Sequence, residues 1–163
     1  MSAPVVAARP SKDPLSAGEL CTRVLTIVRR DTPLVDAARR MRDEHVGCVL
    51  VAEESPVGDT VVGMLTDRDV VVSVVALGID AATLFVEDAM ATDVALVRET
   101  ASLGEVLALV RERGVRRVPV VGEDGTLVGL LSFDDLVAAL ALQAHAMTEA
   151  LVVGRQREGA SRP

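Results

Sequence analysis

Gly63-Met64-Leu65-Thr66-Asp67-Arg68-Asp69 recurs as Gly129-Leu130-Leu131-Ser132-Phe133-Asp134-Asp135. Each copy runs glycine, two apolar residues, a hydroxyl, two variable residues and an acid. Each follows an apolar strand pattern and precedes an apolar helix pattern. The similarity continues upstream, where Thr32 to Val51 aligns with Ala101 to Val120 at an offset of 69 (103 − 34). The closing motif aligns at 66 (129 − 63), so the first copy holds three extra residues near Glu53 to Asp59. A duplicated unit constrains the fold more tightly than any local propensity. Two copies are too few for a solenoid, so they must pack on each other as one pseudo-symmetric unit.

The 163 residues suit one domain or one tightly paired repeat. Half are hydrophobic, but with two Phe and neither Tyr nor Trp the core must be aliphatic. A net charge of −7 argues against a surface that coats nucleic acid, and stacking platforms for single strands are missing. Cys21 and Cys48, with only two His in the chain, give neither a zinc spacing nor a disulfide framework. They read as buried, reduced thiols. The longest apolar run, Val70 to Ile79, is well below the roughly 20 residues of a membrane span. No secretory leader is recognisable near Pro4 to Arg9. A cytoplasmic protein without nucleic-acid or membrane partners is expected.

Residues 1–15 and 154–163 lack periodicity and read as mobile tails. Between them lie a first repeat over 16–80 and a second over 81–150, each ordered strand, helix, strand, hairpin, strand, helix. In the first, Val24 to Val28 is a short strand and Asp31-Thr32-Pro33 opens a helix. Leu34, Ala37, Ala38 and Met41 then follow at helical spacing, with Arg39, Arg40 and Asp43 outward. Cys48 to Val51 and Val61 to Leu65 are strands, and Val70 to Leu77 is a helix. The second repeat places strands at Ala95 to Arg98, Val118 to Val121 and Leu127 to Leu131. Its helices run from Leu103 to Arg111 and from Asp134 onward, with a Gly122-Glu123-Asp124-Gly125 hairpin turn. The last helix, running toward Leu151, has more apolar surface than one small repeat can bury.

The repeated motif puts a hydroxyl, Thr66 or Ser132, and the first helical amides at a helix N-terminus, which favours an anion. Asp69 or Asp135, three residues on, can accept two hydrogen bonds from a vicinal diol. Gly63 or Gly129 leaves room for a flat group against the backbone. Phosphate, ribose and base edge are plausible occupants, and adenosine phosphates fit all three. The same spacing is also a helix capping box, which any helix here needs. Arg68 can neutralise a phosphate or stand as a solvated surface residue, whereas Asp134 in the second copy would repel one. Arg116 and Arg117 precede a strand, so one can face the cleft between repeats and the other solvent. The first copy has uncharged Gly47 and Cys48 there.

Gly-Met-Leu-Thr-Asp-Arg-Asp-Val and Val-Arg-Arg-Val-Pro-Val-Val resemble the CBS (cystathionine β-synthase) domain pair, or Bateman module, in its stand-alone bacterial form. The resemblance covers roughly residues 18–140. It implies an α/β (α+β) fold of two βαββα repeats related by a pseudo-twofold axis, with two clefts for AMP, ADP, ATP or S-adenosylmethionine. Thr66 and Asp69 would contact phosphate and ribose in one cleft. Ser132 and Asp135 would do so in the other, where Arg116 and Arg117 match the family's basic pair. The adenine would lie against the partner repeat: Cys21, Thr26, Val46 and Gly47 opposite the second motif, and Met90, Ala95 and Val115 opposite the first. The missing basic pair in repeat 1 ranks the second cleft ahead for an AMP-like ligand.

The expected function is a regulatory sensor of an adenosine nucleotide, a homodimer through its helices, with an unknown protein partner possible. The alternative is an interaction scaffold with empty clefts. No nucleophile–base pair or metal cluster supports an enzyme. Val70 to Ala76 and Leu136 to Leu142 serve equally well as dimer faces or as plain intramolecular core.

Overall fold

The protein is described here from a computed structural model that places residues 5–6 and 15–160. Repeat 1 contains strands β2 (Ile27–Val28), β3 (Cys48–Ser55) and β4 (Gly58–Thr66), following β1 (Val5–Val6) and a short helix α1 (Ala17–Leu20). Its helices are α2 (Leu34–Asp43) and α3 (Asp67–Val70), the latter continuing as a π turn over Val71–Val75. Repeat 2 contains β5 (Leu96–Arg98), α4 (Leu103–Arg113), β6 (Arg117–Val121), β7 (Leu127–Ser132) and α5 (Phe133–Ala160). In each repeat the first strand is parallel to the second and the third antiparallel to it, giving the order β2-β3-β4 in one sheet and β5-β6-β7 in the other, to which β1 adds parallel beside β5. The fold is therefore the expected α+β pair of repeats.

Apolar periodicity explains the cores. Leu34, Ala37 and Met41 of α2 are buried against Val28, Val49, Val51 and Leu65, while Arg39, Arg40 and Asp43 stay exposed. Leu103, Val106 and Leu109 of α4 do the same against Val97, Val118, Val120 and Leu131. Both cores are aliphatic.

Each core also takes in residues from the other repeat's lead-in. Ala17 belongs to the second core, and Val86, its counterpart 69 positions on (86 − 17), belongs to the first. The lead-ins are anchored at both ends. Ser16 bridges Ser102 and Thr22 bridges Leu130; correspondingly Phe85 bridges Pro33 and Ala91 bridges Met64. Both inner bridges are double: Thr22 and Leu130 exchange amide bonds of 2.9 and 3.0 Å, Met64 and Ala91 of 3.0 and 2.9 Å. The chain segments 16–22 and 85–91 thus pack on the repeat they do not precede.

Other expectations shift. The first strand of repeat 1 is only Ile27–Val28, and Val24 is 91% exposed. The hairpin ladder extends to Ser55 and Gly58, because Arg29 pairs with Asp59 (2.7 Å) and Glu54 (3.3 Å), and Arg30 with Glu53 (2.6 Å). The three extra residues are thus folded into the sheet. Inside the expected N-terminal tail, Val5–Val6 pairs parallel with Leu96–Val97. At the other end α5 carries helix through Gly154 to Ala160. The tail positions 1–4, 7–14 and 161–163 lie outside the described residues.

His45 and Gly114, 69 positions apart (114 − 45), close α2 and α4 in the left-handed region, at φ 55° and 64°. Glycine adopts this geometry at little cost and histidine does not.

Candidate functional site

The two motifs fold identically. Thr66 Oγ1 donates to Asp69 Oδ2 at 2.6 Å, the Thr66 amide donates to the same oxygen at 2.9 Å, and the Asp69 amide returns a bond to Thr66 Oγ1 at 3.2 Å. For Ser132 and Asp135 the distances are 2.5, 2.9 and 3.2 Å. Both are capping boxes, so Oδ2 of each carboxylate is committed and Oδ1 is the oxygen the cap does not use. The first amide of each turn is also engaged: Asp67 donates to Gly47 O (3.3 Å) and Phe133 to Arg116 O (2.8 Å). The Arg68 amide is bonded to the Asp67 carboxylate at 2.8 Å. Its side chain is exposed.

Gly63 and Gly129 owe their small size to the protein itself. A Cβ on Gly63 would stand 2.6 Å from Met90 Sδ and 3.1 Å from Ala91 O. On Gly129 it would collide with Cys21 Sγ and stand 2.8 Å from Thr22 O. The flat group that approaches each glycine is thus the other repeat's lead-in strand. Met90 lies opposite the first motif and Cys21 opposite the second, as the resemblance implies.

Arg116 and Arg117 diverge as neighbouring strand residues should. Arg116 is exposed, 3.9 Å from the Asp134 carboxylate, which is its ion partner. Arg117 is half-buried and reaches into repeat 1: a Cβ on Gly47 would meet Arg117 Nη2 at 2.9 Å and Asp67 Oδ2 at 3.3 Å. Arg117 and Cys48 are repeat equivalents (117 − 48 = 69), and they lie close enough for the guanidinium to act on the thiol. Residues that meet their own counterparts mark the pseudo-twofold axis. One cation therefore stands near that axis, in space that Gly47 leaves open. Burial raises the Cys48 thiol pKa, against the opposing pull of Arg117. Burial also raises that of Cys21, which is only half-buried. Both cysteines are free.

Thr26 is buried, and its hydroxyl donates a very short hydrogen bond to the Glu44 carboxylate. Arg40 Nε reaches the other Glu44 oxygen at 3.2 Å, and Arg40 Nη1 holds Ile27 O at 2.7 Å. Thr26 foremost, and then Arg40, lowers the Glu44 pKa. Repeat 2 has Ala95 at the equivalent position, buried in its core, so the network exists once. Nothing in the sequence singles out Glu44 beyond its four-residue spacing from Arg40. Val46 is exposed, and Val115 packs partly buried on the second core. A separate open groove of about 590 Å³ lies between α4 and α5, lined by Gly104, Leu107, Ala108, Val110, Arg111 and Phe133.

The molecule therefore offers two hydroxyl–carboxylate corners, each facing a strand from the opposite repeat, with Arg117 between the repeats. Among the described residues these corners assemble no nucleophile with a base.

The sequence matches the CBS domain family twice, at residues 17–76 and 86–142. The chain belongs to that family, as a tandem CBS pair. Among its relatives is hypoxic response protein 1 of Mycobacterium tuberculosis, 32% identical over 139 residues, covering 85% of this chain and 89% of that one. The crystal structure of that relative, with two coordinated zinc ions, superposes at a TM-score of 0.67 with 31% identity over 77% of this chain and 98% of the other. A hexameric CBS-CP12 protein from bloom-forming cyanobacteria gives 0.66 and 28%, over 76% and 69%. An uncharacterised protein of Methanopyrus kandleri is 29% identical over 76% of this chain; the match spans only 61% of that protein's length.

Proposed function

We propose that this CBS pair is a non-enzymatic regulatory module that binds an adenosine-type nucleotide, AMP-like first, and responds by changing how it associates with itself or a partner. The observation that supports this best is the duplicated hydroxyl–carboxylate corner, Thr66 with Asp69 and Ser132 with Asp135, together with Arg117 reaching across to Gly47 and Asp67 of repeat 1. The second cleft is the tighter one in this reading, because Arg116 and Arg117 stand where repeat 1 has uncharged Gly47 and Cys48, although Arg116 has Asp134 as its ion partner. To act as a switch, the ligand must prefer one arrangement over another.

Self-association is supported by exposed apolar side chains on the helices, among them Val71, Val72, Val75 and Val137, and by the hexameric CBS-CP12 neighbour. Zinc is not carried over from the mycobacterial relative. Among the described residues no three His, Cys, Asp or Glu side chains stand together as a metal site. No helix among them is long and apolar enough to cross a membrane, and a cytoplasmic location is part of the proposal.

A scaffold with empty clefts is the second reading. It is favoured by the first-turn amides and motif glycines, which are taken up by the protein itself. Calorimetric titration with AMP, ADP, ATP and S-adenosylmethionine decides between the two, on material first checked for co-purified nucleotide. One saturating ligand supports the sensor, and its stoichiometry counts working clefts. Absence of heat and of bound nucleotide favours the scaffold.

A further inference from the structure

Equivalent positions of the two repeats carry opposite charge where each lead-in leaves its inter-repeat rung. Past the Thr22–Leu130 rung the chain runs through Val24 to Thr26, whose hydroxyl holds the Glu44 carboxylate. Past the Met64–Ala91 rung it runs through Asp93, which holds Arg113 at 2.6 Å. Glu44 and Arg113 are the same position in the two copies (113 − 44 = 69), at the C-terminal ends of α2 and α4. Their surroundings differ as well: where repeat 1 has Thr26 and Arg40, repeat 2 has buried Ala95 and Leu109. Leu130 lies two residues before Ser132, and Met64 two before Thr66. The strand opposite the Ser132–Asp135 corner therefore leads to a carboxylate, and the strand opposite Thr66–Asp69 to a guanidinium.

Neither group is used up by its neighbours. Thr26 and Arg40 each take one site on a different Glu44 oxygen, and an ionised carboxylate offers about four. Arg113 meets both the side chain and the backbone oxygen of Asp93 through Nη2, leaving Nε and Nη1 without a partner among the described residues. The two side chains are 42% and 26% exposed, so both can be reached from solvent.

We infer that the two clefts select different purines: an adenine nucleotide opposite Asp135, chosen by Glu44, and a 6-oxopurine nucleotide such as GMP opposite Asp69, chosen by Arg113. The inference rests on the proposed nucleotide function and adds which base each cleft takes. With the ribose on the motif carboxylate, the base lies against the facing strand and turns its edge to these groups. Adenine presents an exocyclic amine, which a carboxylate accepts; guanine presents a carbonyl oxygen at the same place, which a carboxylate repels. A guanidinium reverses the preference, because its fork of donors matches the paired acceptors O6 and N7 of guanine. Glu44 and Arg113 thus act as specificity-determining residues, one in each cleft, on top of corners that are alike.

Calorimetric titration of the full chain with AMP, with GMP, and with GMP after saturation by AMP tests this. The expected result is that each nucleotide fills one cleft per chain and that GMP binds the AMP-saturated chain as it binds the free one. Glu44→Gln should weaken AMP about 10-fold and leave GMP unchanged. Arg113→Lys, which keeps the charge and loses the fork, should weaken GMP about 10-fold and leave AMP unchanged. Circular dichroism checks that both variants are folded. A merely structural role for either residue would move both affinities together, and that result overturns the inference. So does competition of GMP with AMP for one cleft, or binding of AMP with no heat from GMP; both leave the proposed sensor standing. A chain that binds neither nucleotide overturns the sensor and the inference with it.

Discussion

The backbone oxygen of Thr22 stands 2.8 Å from the place a Cβ on Gly129 would occupy, and Cys21 Sγ stands closer still. This is the seam where the lead-in of repeat 1 crosses onto repeat 2. Gly63 meets Met90 and Ala91 in the same way on the other side. The motif glycines are therefore sites of inter-repeat packing before they are anything else.

Gly129→Ala should destabilise the fold by about 1–3 kcal/mol, the usual cost of overpacking against backbone that cannot move aside. Gly47→Ala adds the same methyl where its nearest neighbour is the flexible end of Arg117, and should stay within about 0.5 kcal/mol. Denaturant midpoints of the two variants at pH 7 check this; equal losses would refute the packing argument.

His45 occupies the left-handed position that Gly114 fills in repeat 2. His45→Gly should raise stability by about 0.5–1 kcal/mol, the strain relieved being partly offset by a more flexible unfolded chain. Gly114→His should lower it. Unfolding curves of both variants show whether the signs are opposite.

Thr26 foremost, and then Arg40, hold the Glu44 carboxylate in its charged form, with its pKa below the ordinary glutamate range. A depressed carboxylate pKa contributes stability that is present above the unfolded value and lost as pH falls through the folded one. Thr26→Val should therefore lower stability at pH 7 and flatten its loss below about pH 4.5. Denaturant melts across pH 3–7 would show the wild-type and variant curves converging on the acid side. Curves that stay parallel would remove the role given to Thr26.

Asp69→Ala and Asp135→Ala each remove one arm of a capping box and should cost about 1 kcal/mol apiece. Their effects on ligand should differ. Asp135→Ala should weaken AMP binding more than Asp69→Ala, since the second repeat has Arg116 and Arg117 where the first has Gly47 and Cys48. Calorimetry on the folded variants reads this; equal losses would overturn the ranking of the clefts, and no loss in either would sink the ribose assignment.

The duplication, the strand and helix order and the cores were legible because they rest on local periodicity, in Leu34-Ala37-Met41 as in Leu103-Val106-Leu109. The caps at Thr66 and Ser132 were legible too, since a capping box lies within four residues. What spacing cannot convey is which distant segment fills a gap. The glycines suggested a cleft for a flat ligand, yet the filler was Met90 in one case and Cys21 in the other. The hairpin grew past its apolar residues because Arg29 and Arg30, over twenty positions upstream, pair with its acids. Glu44 found Thr26 across eighteen positions. Each of these depends on tertiary partners.

The exchange of lead-ins makes this chain poor material for dissection. A fragment ending near residue 80 would keep segment 16–22 with nothing to sit on, and its own sheet would lack Val86 and the rung from Ala91. Two such halves, mixed, could complement one another only by finding both missing strips at once. A working single repeat would need re-splicing, with residues 85–91 joined ahead of β2 and 16–22 discarded. The heritable unit that was copied and the unit that folds have different boundaries in this chain.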